Sequence, residues 1–148
     1  RTSAFSEGWA LYAEQLALEA GLADNPLDEL GILQSELFRA VRLVVDTGMH
    51  YKRWTREKAM AYMKAKTGMS DTEVRVEIER YIVWPAQALS YKVGMIKILE
   101  LRKRAQDALG EEFNIKDFHS ALLDHGSPPL FIVEEKVNDM INNANSLN

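Results

Sequence analysis

The chain has 148 residues, of which 47% are hydrophobic and 27% charged, with 18 Lys+Arg against 22 Asp+Glu. That length suits one domain with a real core, since folding at this size buries roughly 68–70% of the unfolded surface. The composition excludes intrinsic disorder. The net charge of −4 argues against a nucleic-acid binder, which needs a basic face. The absence of Cys excludes disulfides and thiolate metal sites.

No apolar run approaches the roughly 20 residues of a membrane span. The chain opens Arg1-Thr2-Ser3 and reaches its first Met only at Met49. We therefore expect a piece of a longer protein, with surface exposed by truncation that could drive homo-oligomers.

The periodicity predicts an all-α fold, about seven helices in an irregular bundle, with no internal domain boundary over residues 1–148. The first helix runs from about Phe5 to Ala20, with Ser6 as N-cap and Gly21 after its end. Asn25-Pro26 opens a second, which carries Leu27, Leu30, Leu33, Leu37, Val41 and Val45 and ends near Thr47-Gly48. Thr55 caps a third, Arg56 to Lys66, closed by Gly68. Ser70-Asp71-Thr72-Glu73 is a capping box for a fourth. Pro85 must end or kink that helix and is expected at the first position of a long fifth, to Leu109. Asn114 opens a sixth, through Leu123, and Ser127-Pro128 a seventh that fades in the polar tail from Asn142 to Asn145.

No phosphate-cradling, dinucleotide or nucleophile-elbow motif occurs. Three histidines, His50, His119 and His125, make no H-E-x-x-H and no pair at i, i+4, so the chain holds no self-sufficient zinc site.

Four polar blocks could carry chemistry. In Glu7-Gly-Trp-Ala-Leu-Tyr-Ala-Glu14 the two carboxylates lie two turns apart on one stripe beside Leu11. A carboxylate there is either paired or metal-bound, or is a solvated helix-start residue. Arg42-Leu-Val-Val-Asp-Thr-Gly-Met-His50 ends an apolar helix in a polar cluster, a cleft wall or a plain C-cap. Arg80-Tyr81 and Gln87-Tyr91 flank Pro85, where a broken helix can aim polar groups at one point. A Tyr91 hydroxyl there could serve an oxyanion, or simply tip a core aromatic. Phe118-His119 through Pro129-Leu130 is the fourth, and a His beside such core positions is also read as structural.

Together and in this order, E-G-W-A-L-Y-A-E, R-L-V-V-D-T-G-M-H, R-Y-x-x-W-P-A-Q-A-L-S-Y-K-V-G and D-F-H-x-x-L-L-x-x-G-x-x-P-L resemble the C-terminal part of the bacterial domain-of-unknown-function family 885, over Phe5 to about Met140. That family resembles gluzincin-type helical zinc metallopeptidases. The resemblance implies the C-terminal part of a larger helical domain whose H-E-x-x-H-like helix lies upstream and is absent here. It implies Glu7 as third zinc ligand, Tyr91 as oxyanion donor, and His50 and His119 as binders of substrate or oxyanion. Arg42, Arg80, Tyr81 and Gln87 would contact substrate, a peptide or small amide. Zinc would belong to the intact parent and not be retained by this piece, which alone would be inactive. The resemblance places the parent in a bacterium and leaves periplasmic, exported and cytoplasmic locations open. Relatives read Pro-Gly-Gln where this chain reads Pro85-Ala86-Gln87, expected as a mild change at a helix start. The alternative is a non-catalytic helical interaction module whose polar blocks are caps and buried networks.

Overall fold

The computed structural model describes residues 2–23 and 25–146. They form seven α-helices and no strand: α1 (Ser3–Glu19), α2 (Pro26–His50), α3 (Arg56–Thr67), α4 (Asp71–Val83), α5 (Ser90–Leu109), α6 (Ile115–Leu123) and α7 (Leu130–Asn145), with 3-10 turns at Gln87–Leu89 and Gly110–Glu112. The all-α expectation holds.

The caps explain most boundaries. Asn25 accepts from the backbone N–H groups of Leu27 and Asp28. Thr55 accepts from Lys58, and Ser70 and Glu73 form the reciprocal capping box. Asn114 accepts from Lys116. Each supplies a partner to N–H groups that a helix start leaves unpaired.

Four expectations need correction. Ser6 is not an N-cap: α1 starts three residues earlier, and the Ser6 hydroxyl pairs with Ser127 Oγ at 2.8 Å. Thr2 ties the same end down, donating to the Pro128 carbonyl at 2.6 Å. The second helix does not stop at Gly48 but runs to His50, because Gly48 leaves room for the Trp54 ring that folds back against it. The seventh does not start at Ser127-Pro128 but at Leu130, with Pro129 at the N-cap position. Pro85 does not begin the fifth helix. Ala86 takes a left-handed conformation (φ 67°), so the chain makes an elbow and a 3-10 turn before α5 starts at Ser90.

Two hydrophobic clusters result. One is built by α1, α5, α6 and α7 around Phe5, Tyr12, Met95, Ile98, Leu101, Phe118 and Val137. The other is built by α2, α3, α4 and the first 3-10 turn around Val41, Val45, Met63, Val74, Ile78, Tyr81 and Ala88. The elbow at residues 84–87 lies where they adjoin, since Ala88 belongs to the second cluster and Met95 to the first. α1 packs most extensively on α5. Leu27, Leu30, Leu33 and Leu37 on α2 stay exposed.

Candidate functional site

At the elbow an open pocket of about 410 Å³ is lined by Ser3 and Glu7 of α1, by Trp84, Pro85, Ala86 and Gln87, and by Ser90 of α5. Ser3 and Glu7 are one turn apart and so share a face. The Ser3 and Ser90 hydroxyls hydrogen-bond each other at 3.0 Å, which pins α1 to the start of α5. Glu7 is half-buried and makes no hydrogen bond or ion pair among the described residues. Glu14, on the same stripe, instead accepts from Ser35 of α2 at 3.1 Å.

Gln87 links this pocket to a cluster of guanidinium groups and aromatic rings. Its Oε1 accepts from Arg42 Nη2 at 3.3 Å and from Arg80 Nη1 at 3.2 Å. Both partners are cationic donors, so the carboxamide oxygen must face them. Its amino group is left over for the pocket.

Arg42 is only 3% exposed and its Nε has no partner among the described residues. Its guanidinium lies 4.4 Å from the Tyr91 ring centroid and 5.4 Å from that of Tyr81, a cation–π stack that lowers the cost of burial. Arg80 pairs with Glu77 at 2.6 Å, and the Tyr81 hydroxyl donates to the same carboxylate. Burial pushes the Glu77 carboxyl up, but the hydrogen bonds from Arg80 and Tyr81 outweigh it, so it sits below the usual carboxylate range. Burial, then the Glu77 carboxylate, raises the Tyr81 hydroxyl far above its ordinary value and keeps it a donor. Its ring is fully in the core.

The α2 C-terminus grips the elbow from behind. Asp46, 2% exposed, accepts the Ala86 N–H through both carboxylate oxygens at 3.2 Å. Burial raises its carboxyl above the ordinary value, against the opposing effects of the Ala86 hydrogen bond and of His50 and Arg42. His50, although exposed, donates from Nε2 to the Tyr81 carbonyl at 2.9 Å.

The residues singled out in the sequence thus fall in three places. Glu7 and Gln87 share the pocket. Arg42, Arg80, Tyr81 and Tyr91 adjoin it through Gln87, with His50 at the edge. His119 stands apart. Its Nε2 meets the Tyr12 hydroxyl at 3.0 Å, and its ring packs against Trp9, Tyr12 and Phe118. Tyr12 lies roughly 140° around α1 from Glu7, which points it away from the pocket. Sequence reasoning missed Ser3, Trp84 and Ser90 as pocket walls and Asp46 as the elbow's acceptor. For Asp46 there was a signal: one carboxylate in the apolar run Leu43-Val44-Val45.

Among the described residues no three His, Cys, Asp or Glu side chains gather as a metal site. Glu7 is chemically suited to be one ligand, and the described residues do not complete a set.

The described residues thus form an all-helical structure in which the Glu7 carboxylate and the Gln87 carboxamide line one elbow pocket. The chain belongs to the family described as bacterial protein of unknown function (DUF885), whose model matches residues 1–137. It is similar to a solved structure, "the putative lipoprotein from Colwellia psychrerythraea", at 53% sequence identity and a TM-score of 0.93. That match covers 95% of this chain and 24% of the other, so the chain spans about a quarter of that protein's length. No curated protein matches it. Among the described residues no helix is long and apolar enough to cross a membrane.

Proposed function

We propose that this chain is the part of a zinc-dependent peptidase or amide hydrolase that supplies one metal ligand and the substrate-binding wall. Glu7 is the ligand. Two histidines and a general-base carboxylate would come from elsewhere in a longer polypeptide. The observation that carries this reading is the Glu7 carboxylate itself. It lines the pocket half-buried and has no partner among the described residues, which leaves both carboxylate oxygens free to bind a cation. Zinc bound there with an open position would polarise a carbonyl and lower the pKa of a bound water.

The chain's own residues then divide the work. The Gln87 amino group donates to a peptide carbonyl in the pocket, and Trp84 offers an apolar wall. Arg80, part-exposed beside Glu77, draws a substrate carboxylate towards the site. Tyr91 remains our candidate for a second donor to the oxyanion, held in place by the Arg42 guanidinium over its ring. His50 acts at the elbow, and His119 stands outside the pocket, hydrogen-bonded to Tyr12. This chain alone would be inactive, since a single carboxylate does not hold zinc.

The test is zinc stoichiometry of the full-length protein after metal loading, with Glu7 intact and with Glu7→Ala. We expect about one zinc per chain, lost or much weakened in the variant. No zinc in either protein would overturn the reading. It would favour a helical interaction module instead, for which the exposed Leu27, Leu30, Leu33 and Leu37 stripe of α2 speaks.

A further inference from the structure

Three residues of α2 spaced one turn apart touch three successive points of the elbow. Arg42 donates to the Gln87 side chain, Asp46 accepts from the Ala86 backbone, and His50 donates to the Tyr81 carbonyl. Between the last two points, Ile82, Val83, Trp84 and Pro85 are all exposed. Little burial of their own therefore fixes their course. The left-handed Ala86 is also a conformation that an L side chain avoids without support. A carboxylate buried to 2% exposure, with one shared backbone N–H as its hydrogen bond, is a poor stabiliser of the fold. Its geometry suits a different purpose.

We propose that Asp46 and His50 are positioning residues: they clamp the chain on either side of the α4–α5 break and so fix Trp84–Gln87 as one wall of the Glu7 pocket. His50 holds the last turn of α4 and Asp46 the start of the turn that leads to α5. Their spacing on one helical stripe sets the distance between the two grips. Gln87 then presents its carboxamide oxygen to Arg42 and Arg80. The purpose assigned to the wall rests on the proposed function. The clamp is a property of this chain without metal, so its test does not depend on zinc.

The experiment is amide hydrogen exchange by NMR on the metal-free chain, comparing Asp46→Ala with Asp46→Asn and His50→Ala with His50→Gln. Asn keeps an acceptor for the Ala86 N–H, and a Gln amide can replace the His50 Nε2 donor. We expect the Ala86 amide to exchange about three- to tenfold faster in Asp46→Ala, the range one lost hydrogen bond supports. We expect Asp46→Asn to restore slow exchange. Core amides at Ile98 and Leu101 should not change. His50→Ala should loosen Trp84, whose N–H bonds the Arg80 and Tyr81 carbonyls, and His50→Gln should restore it. Exchange of Ala86 at the free-peptide rate in the unmodified chain would overturn the proposal. So would an Asp46→Asn chain as loose as Asp46→Ala, because the acceptor would then not be what matters. If Asp46→Ala does not fold, the His50 pair and Asp46→Asn still decide the outcome.

Discussion

Gly8 of α1 and Gly94 of α5 meet backbone to backbone. A Cβ added at Gly94 would stand 1.9 Å from the Ala4 carbonyl oxygen, and one at Gly8 would stand 2.4 Å from the Gly94 Cα. Both residues are buried. Neither clash can be relieved by a side-chain rotation, because the obstacles are main-chain atoms. This crossing brings Ser3 and Glu7 within reach of Ser90, one turn before Gly94, and so sets the width of the pocket. Gly94→Ala should therefore cost at least the ~1–3 kcal/mol typical of overpacking. Gly8→Ala should behave alike. The double variant should cost less than the two single losses added, since the helices need to part only once. Urea unfolding midpoints of the three variants check this.

Glu7 should be dispensable for the fold. It has no partner among the described residues, so Glu7→Gln should shift stability by no more than about 0.5 kcal/mol, as for substitutions away from any network. A loss well above that in chemical denaturation would show a structural role for the carboxylate and weaken its assignment to a metal. A neutral result, with zinc lost from the full-length protein, would separate the two roles cleanly.

Gln87 should respond oppositely to two substitutions. Gln87→Ala leaves Arg42 Nη2 and Arg80 Nη1 without their shared acceptor, and Arg42 is buried. The loss should fall near the ~1–3 kcal/mol of an orphaned buried donor. Gln87→Glu puts a carboxylate between two guanidinium groups, with charge-assisted hydrogen bonds in place of neutral ones. It should match or exceed the unmodified chain in thermal stability. It would also remove the amino group proposed to bind substrate, so any substrate binding should fall while Tm does not.

Ala86→Gly tests the elbow. An L residue in the left-handed region is strained by roughly 1–2 kcal/mol, and Gly costs roughly 0.5–1 kcal/mol in unfolded-chain entropy. The two nearly offset, with a small advantage to Gly. We expect a gain of up to about 1 kcal/mol, and a clear loss for Ala86→Val, whose branched side chain tolerates this backbone poorly. Denaturant midpoints of both variants decide it. A destabilised Ala86→Gly would mean that the positive φ of Ala86 carries little strain.

The same residue shows what the sequence did and did not disclose. Asn25, Thr55, Ser70 and Asn114 act through neighbours within three residues, so the cap rules read them directly. Ala86 was visible as a departure from Pro-Gly-Gln, but its meaning was not. Local rules place a Pro at a helix start, whereas here Ala86 turns left-handed and its N–H goes to the distant Asp46 carboxylate. Glu7 and Gln87 were both singled out, yet nothing in their spacing could say that one pocket holds them: that depends on the glycine crossing of α1 and α5. His119 was grouped with them by its place in a motif, whereas the angle around α1 sends its partner Tyr12 elsewhere.

His119 makes the stability of the chain depend on pH. Burial, then the nearby Arg102 cation, lowers its pKa below the ordinary His value. Arg102 itself is anchored to Glu19 at 2.8 Å, which keeps that positive charge close to Tyr12 and the imidazole. The unfolded chain therefore binds a proton on His119 at a higher pH than the folded chain does. Below about 6.5, the unfolded His value, each fall in pH favours the unfolded state until the folded pKa is passed. The stability that His119 supplies is thus fully present above that window and lost on acidification through it. His119→Gln keeps a polar partner for the Tyr12 hydroxyl but does not titrate. Its stability should fall less between pH 7 and pH 5 than that of the unmodified chain, by the His119 contribution. Parallel denaturant titrations at several pH values would show this. Equal slopes in the two chains would mean that the imidazole is open to solvent and that the Tyr12 contact does not hold it neutral.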